Sequence, residues 1–145
     1  MFNFLKNKNQ NQSQDDTDVT RKQPHKTNDE TAKDISDATI SFDQFSKIEM
    51  RVGEVVKAEK IQNADRLLRL SVDFGNETRK IVSGIAEYFE ADSLVGNKYA
   101  FVTNLKPRKI RGEESNGMIM AARDEAGNFS LMNVDSRVSK GTLLS

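Results

Sequence analysis

The sequence predicts a small all-β barrel behind a polar N-terminal tail, and three observations predict it. Leu68, Leu70, Val72 and Phe74 alternate with Arg69, Ser71 and Asp73, the period-two pattern of a half-buried strand. Short apolar segments recur after Ser41, broken by turn residues at roughly 8- to 12-residue intervals, as in small barrels and sandwiches. The texture of the chain also changes near residue 40. Residues 6 to 39 are rich in Asn, Gln, Asp, Thr and Lys, with Val19 and Ile35 as their only large aliphatics. Such a stretch cannot bury enough surface to offset its chain entropy. Residues 1–40 are therefore expected to form a disordered tail or linker, with a low-complexity tract at Asn7–Gln14, and residues 41–145 the barrel.

Each element follows in order. Ser41-Phe42-Asp43-Gln44-Phe45 reads as one capped helical turn with both rings on one face. Met50, Val52 and Val55 begin a strand, with Gly53 as a bulge or a point of close approach. Gly75-Asn76 turns the chain into a return strand at Lys80–Ser83. Ile85–Phe89 reads as a short helix and Asp92–Leu94 as a further turn of helix. Lys98–Thr103 is a strand, Asn104–Asn116 a loop, and Met118–Ala122 a strand that pairs back with Phe129–Val134. A helix between the third and fourth strands suits a five-stranded Greek-key barrel, the OB-fold. Periodicity alone does not separate it from an SH3-like barrel. Either is filled by its own side chains, so function should sit on an exposed face and its bordering loops.

Composition excludes more than it assigns. The 145 residues contain no cysteine, so there is no disulfide framework and no thiolate zinc site, and no cofactor or metal is expected. That usage fits a reducing cytoplasm. Mean hydropathy is −0.67. There is no apolar run long enough to span a membrane, and the start lacks the features of a signal peptide. Phe2, Phe4 and Leu5 form a patch too short to hold a membrane alone, so no membrane partner is expected. Lys plus Arg and Asp plus Glu are 22 each, so net charge gives no hint of a nucleic-acid partner. The single histidine, His25, lies in the tail. With no nucleophile elbow, phosphate-cradling glycine loop or metal-ligand cluster, the chain is expected to be non-catalytic.

The strongest local signal is Asn104-Leu105-Lys106-Pro107-Arg108-Lys109-Ile110-Arg111-Gly112. Pro107 stiffens the presentation of Lys106, Arg108, Lys109 and Arg111. Arg108 suits a paired grip on phosphate, and the lysines act as point charges. A solvated basic loop is the plainer reading of the same residues. Glu113 and Glu114 follow directly and would orient the cations or repel wrong registers. Ser115 and Asn116 can donate and accept hydrogen bonds, and Met118 is either core or a soft surface for a base. Arg51, Lys57, Arg69, Arg79 and Lys80 would extend the path, with Arg69 pointing outward. The aromatics of the barrel are few, Phe42, Phe45, Phe74, Tyr88, Phe89, Tyr99, Phe101 and Phe129, and most sit in apolar patterns and read as core. The scarcity of stacking platforms favours recognition of folded RNA by shape.

These residues also carry a family resemblance. Met50-Arg51-Val52-Gly53, Asn63 to Leu70, Ile81 to Ile85, Leu94-Val95-Gly96, Asn104 to Gly112 and Ser115-Asn116-Gly117-Met118 resemble the tRNA-binding domain family. Its members are free-standing bacterial tRNA-binding proteins, the C-terminal domain or β subunit of methionyl-tRNA synthetases, the N-terminal part of phenylalanyl-tRNA synthetase β chains, and cytokine-like multisynthetase factors. The resemblance runs from about Phe42 to Leu144. It implies an OB-fold with a C-terminal extension, a homodimer, and binding to the outer corner of tRNA with little sequence preference, in the service of an aminoacyl-tRNA synthetase catalytic chain. Implied contacts are Asn104, Lys106, Arg108, Lys109, Arg111, Ser115, Asn116 and Met118, with Arg51 and Lys80 as weaker ones. Asn116 departs mildly from the family's usual residue before Gly-Met. A related branch is associated with protein export and chaperone activity, but the Ser83-Gly84-Ile85 and Asn104–Arg111 stretches look more like the synthetase branch.

One prediction belongs to the tail. Deleting residues 1 to 38 should leave the thermal midpoint followed by circular dichroism unchanged, and a large drop would show that the tail packs on the barrel.

Overall fold

The computed structural model describes residues 38–145. Most of the expected tail, with the Asn7–Gln14 tract, His25 and the Phe2, Phe4 and Leu5 patch, lies outside the described residues. Residues up to Lys47 group apart from a compact unit at Ile48–Ser145.

In the first part, α1 (Phe42–Phe45) is the single turn that its sequence requires. The Ser41 Oγ accepts from the Gln44 amide at 3.1 Å, and the Gln44 Oε1 accepts from the Ser41 amide at 2.9 Å. This reciprocal pair satisfies two amides that a helix start leaves without partners. Both rings are exposed, with centroids 6.4 Å apart, so these two are exceptions to the reading of most aromatics as core.

The compact unit is all-β and antiparallel with one further short helix, as expected. It begins with β1 (Met50–Ile61), β2 (Ala64–Asp73), β3 (Thr78–Ser83), α2 (Ala91–Leu94) and β4 (Lys98–Val102). It continues through β5 (Arg108–Ile110), β6 (Glu113–Ser115), β7 (Met118–Ile119), β8 (Ala121–Arg123), β9 (Phe129–Leu131) and β10 (Asn133–Val134). The main sheet runs β10-β4-β1-β2-β3, and β7 also pairs with β4. Long β1 serves two neighbours. Met50–Glu54 pairs with β4, and Glu54–Ile61 pairs with β2 through a register shift between Val55 and Lys57. Such a shift bends a strand, which a closing sheet needs. Where β2 ends, the C-terminal extension takes its place. The Val52 amide donates to Thr142 O at 2.9 Å, and the Leu144 amide to Met50 O at 2.8 Å. On the far side, the Asn116 amide donates to Lys80 O at 2.9 Å, so the chain leading into β7 joins the edge of β3 to β4.

Alternation on β2 places Leu68, Leu70 and Val72 fully inside with Val55, Ile81 and Phe101. The helix expected at Ile85–Phe89 is a turn instead: the Tyr88 and Phe89 amides both donate to Ile85 O. The Ala86 amide is held by Arg66 O at 3.1 Å, which keeps this segment tied to β2. Tyr88 is exposed rather than core, stacked at 4.2 Å and 5° on Phe129. The strand expected at Met118–Ala122 is broken at Met120, whose amide donates to Ala100 O before the chain leaves to pair β8 with β9.

Gly53 is a point of close approach and not a bulge. A Cβ there would lie 2.5 Å from Val72 Cγ1, 2.8 Å from Phe74 Cε1 and 2.9 Å from Phe101 Cδ2. Gly53→Ala should therefore cost about 1–3 kcal/mol of stability by overpacking. Urea unfolding measures this, and a neutral result would contradict such tight packing.

Candidate nucleic-acid interface

Asn104–Asn116 is not a plain loop, because its centre is a β-hairpin. Arg108 pairs with Ser115, Lys109 with Glu114 and Ile110 with Glu113. The two-residue connection is Arg111-Gly112, with φ of 52° and 84°. Positive φ at both positions is the form whose twist suits a tight hairpin, and glycine supplies one of them without strain. Strands of three residues are too short to show a period, which hid them in the sequence.

The pleat sorts the side chains. Arg108, Ile110, Glu113 and Ser115 share one face, and Lys109 and Glu114 take the other. The first face turns toward the outer surface of β2 and β3. Ile110 packs with Leu67 against a small cluster of Ile61, Ala64 and Val82. Ser115 is 4% exposed, and its hydroxyl accepts from the Val82 amide at 2.9 Å and donates to Gly117 O at 3.1 Å. At the tip, Arg111 Nη2 donates to Asn63 O at 2.8 Å, which joins the hairpin to the β1–β2 turn. Asn63 itself has φ 65° in that turn.

Glu113 lies between two cations of the outer face. Its Oε2 is 2.9 Å from Arg69 Nη1, and its Oε1 is 3.2 Å from Lys80 Nζ. Lys80, followed by Arg69, holds its carboxyl below the usual carboxylate range. Arg69 also meets Glu59 at 3.4 Å. Arg69 does point outward as expected, but the acid it meets comes from the hairpin. The expectation that Glu113 orients the cations of the basic run is thus corrected, because it meets Arg69 and Lys80 instead. Nothing local in the sequence marks this group, since its members lie on β2, β3 and β6.

The other candidates divide by what already holds them. Lys106, Arg108 and Lys109 are exposed and have no ion-pair partner among the described residues. Asn116 and Met118 are half-buried at the hairpin root, where Met118 pairs with Val102. Asn104 Oδ1 accepts from the Glu49 amide at 2.9 Å, fixing the root of the basic segment to the start of β1. Arg51 is engaged away from the hairpin, donating to Gly141 O at 2.9 Å and to Glu49 Oε2 at 3.2 Å. Arg51, then Thr103, lowers the Glu49 carboxyl. Arg79 is likewise a brace, donating to Thr103 O at 2.6 Å. The bonds of Ser115 to the Val82 amide and of Arg51 to Gly141 O thus serve the fold, and the sequence could not show that because these partners are distant main-chain atoms.

The surface so built is a basic hairpin laid beside two strands, tied at its tip to the turn between the first two. In an OB barrel that face and those two loops are where oligonucleotides bind. Residues 50–143 match the family described as "Putative tRNA binding domain". The chain belongs to the tRNA-binding domain family. As a tRNA-binding domain it is 46% identical over 128 residues to a methionine–tRNA ligase of Deinococcus radiodurans, covering 86% of this chain and 19% of that enzyme. It is 48% identical over 103 residues to the ligase of Bacillus subtilis, covering 71% of this chain and 15% of that enzyme. The chain thus spans less than a fifth of the length of these curated relatives. The Deinococcus match covers more of the chain than residues 48–145 supply, so it reaches back past the compact unit. A solved MetRS-related protein from Pyrococcus horikoshii superposes with a TM-score of 0.71 at 45% identity, covering 74% of this chain and 98% of that one. The chaperone CsaA of Bacillus anthracis superposes with a TM-score of 0.67 at 26% identity, covering 74% of this chain and all of that one. Among the described residues, no group of side chains could hold a metal ion, and no helix is long and apolar enough to cross a membrane.

Ser115→Ala tests the tRNA-binding domain's internal brace. It leaves the buried Val82 amide without its acceptor and should cost about 1–3 kcal/mol. Denaturant unfolding reads this, and a change below about 0.5 kcal/mol, the ordinary range for surface substitutions, would mean that the hydroxyl does not hold the hairpin.

Proposed function

We propose that this chain binds tRNA without catalysis, through the β5–β6 hairpin and the outer face of β2 and β3, reading shape with little sequence preference. The observation that carries this is the hairpin's free cations, held rigidly beside the outer face of an OB-type sheet. Lys106, Arg108, Lys109 and Arg111 contact phosphates, and Lys80 adds a cation from β3. Asn116 and Met118 meet the nucleotide at the hairpin root. Ser115, Asn104 and Arg51 act by holding that surface in place. Phosphate contacts of this kind position a ligand and carry little sequence information.

The similarity to methionine–tRNA ligases favours a role beside a methionyl-type synthetase. In this reading the chain raises tRNA affinity for a catalytic chain in trans, in the cytoplasm, with the polar tail of residues 1–40 as a tether to the domain of residues 41–145. Two weak contacts joined by a tether bind far more tightly than either alone. A homodimer would double the phosphate contacts in the same way. A second reading rests on the CsaA similarity, in which the fold binds unfolded peptide and the basic hairpin is incidental.

Fluorescence anisotropy with a mixed tRNA pool separates the two. Micromolar-range binding is expected at low salt, with a log–log salt slope of roughly −0.7 to −0.9 per neutralised phosphate. Arg108→Ala should weaken binding to all tRNAs alike, and more than Lys109→Ala, because Arg108 shares the face that looks onto β2 and β3. Loss confined to one tRNA species would refute shape reading. No tRNA binding at low salt, with peptide binding intact, would favour the chaperone reading.

A further inference from the structure

We propose that Glu113 is a built-in stand-in for a nucleic-acid phosphate, occupying the Arg69–Lys80 pair in the free protein and yielding it when RNA arrives. This rests on the tRNA-binding reading above.

The geometry is that of a bridged anion. Arg69 lies opposite Val82, and Lys80 opposite Ser71, so the two cations are diagonal neighbours on adjoining strands. They converge on one group, whose two oxygens take one cation each, at 2.9 and 3.2 Å. The two non-bridging oxygens of a phosphodiester offer the same arrangement to the same donors. The side chain of Glu113 is 23% exposed, and those of Arg69 and Lys80 are 30% and 44% exposed, so an incoming phosphate can reach them.

The hairpin does not need this carboxylate to stay where it is. Ser115 and Asn116 are bonded to the edge of β3, Ile110 is packed under the hairpin, and Arg111 ties the tip. A half-exposed ion pair adds little stability to such a set. Its effect falls on the ligand. Glu113 offsets one of the two positive charges in the middle of the proposed interface, and Glu59 also meets Arg69 at 3.4 Å, while Lys106, Arg108 and Lys109 at its rim have no ion-pair partner among the described residues. A polyanion must engage the rim before it can displace the carboxylate. Short or weakly charged anions are thereby excluded, which is selectivity by built-in competition.

Anisotropy on wild type, Glu113→Gln, Lys80→Ala and the double variant tests this. Glu113→Gln should bind tRNA severalfold more tightly, because no carboxylate then has to be displaced from Arg69 and Lys80. Lys80→Ala should cost more affinity in the Glu113→Gln background than in wild type. Weaker or unchanged binding by Glu113→Gln, with wild type binding normally, would overturn the proposal and leave the tRNA reading standing. Failure of wild type to bind tRNA at low salt would overturn both. Should Glu113→Gln unfold, the Glu113 carboxyl carbon signal in wild type decides instead. Added tRNA should move it, and a signal unmoved at saturation would sink the idea.

Discussion

The edge of β3 is the constraint on which the remaining structure depends. A strand edge with open amides and carbonyls is a liability that a small barrel must cover. Here Asn116 gives its amide to Lys80 O, and Ser115 gives its hydroxyl oxygen to the Val82 amide. These two bonds close the sheet toward β7. They also fix the last residues of β6, and so the direction in which the hairpin leaves the barrel. The same two residues therefore complete the fold and aim the cations of the proposed interface.

Charge in this molecule is a matter of placement. The chain as a whole is neutral, and among the described residues about half of the cations lie beside an acid, as Arg66 does beside Glu87 and Arg137 beside Asp135. Arg51 and Arg79 are spent on main-chain oxygens near the C-terminal extension and on β4's end. Lys140 meets Asp73 at 2.8 Å and Glu54 at 3.5 Å. Unmatched positive charge gathers at the start of the hairpin, where Pro107 and the Asn104 contact keep the chain from spreading it. A locally focused potential can steer a polyanion even when the net charge is zero.

The sequence shows the strands that are long enough to display a period and hides those that are not. Leu68 to Phe74 reads correctly because alternate residues enter a single core. Arg108–Ile110 and Glu113–Ser115 carry three residues each, and their one apolar side chain, Ile110, enters a separate small cluster. Ile85–Phe89 looks helical by composition, but its start is captured by Arg66 O, a tertiary bond that no local pattern encodes. The basic run of the candidate site is legible because its residues are consecutive. Glu113's bond to Arg69 spans 44 positions and Ser115's to Val82 spans 33, so their roles emerge only when the strands are placed.

The C-terminal extension adds a different consequence. Leu144 lies along Met50, with its amide bonded to that residue's carbonyl, so the two ends of the compact unit run side by side. A unit whose entry and exit are adjacent can be spliced into or onto another chain without stretching it, and can be re-cut elsewhere once its own ends are joined. The geometry of one β-bridge thus makes this domain portable. That suits a module whose relatives carry it as less than a fifth of a much longer enzyme.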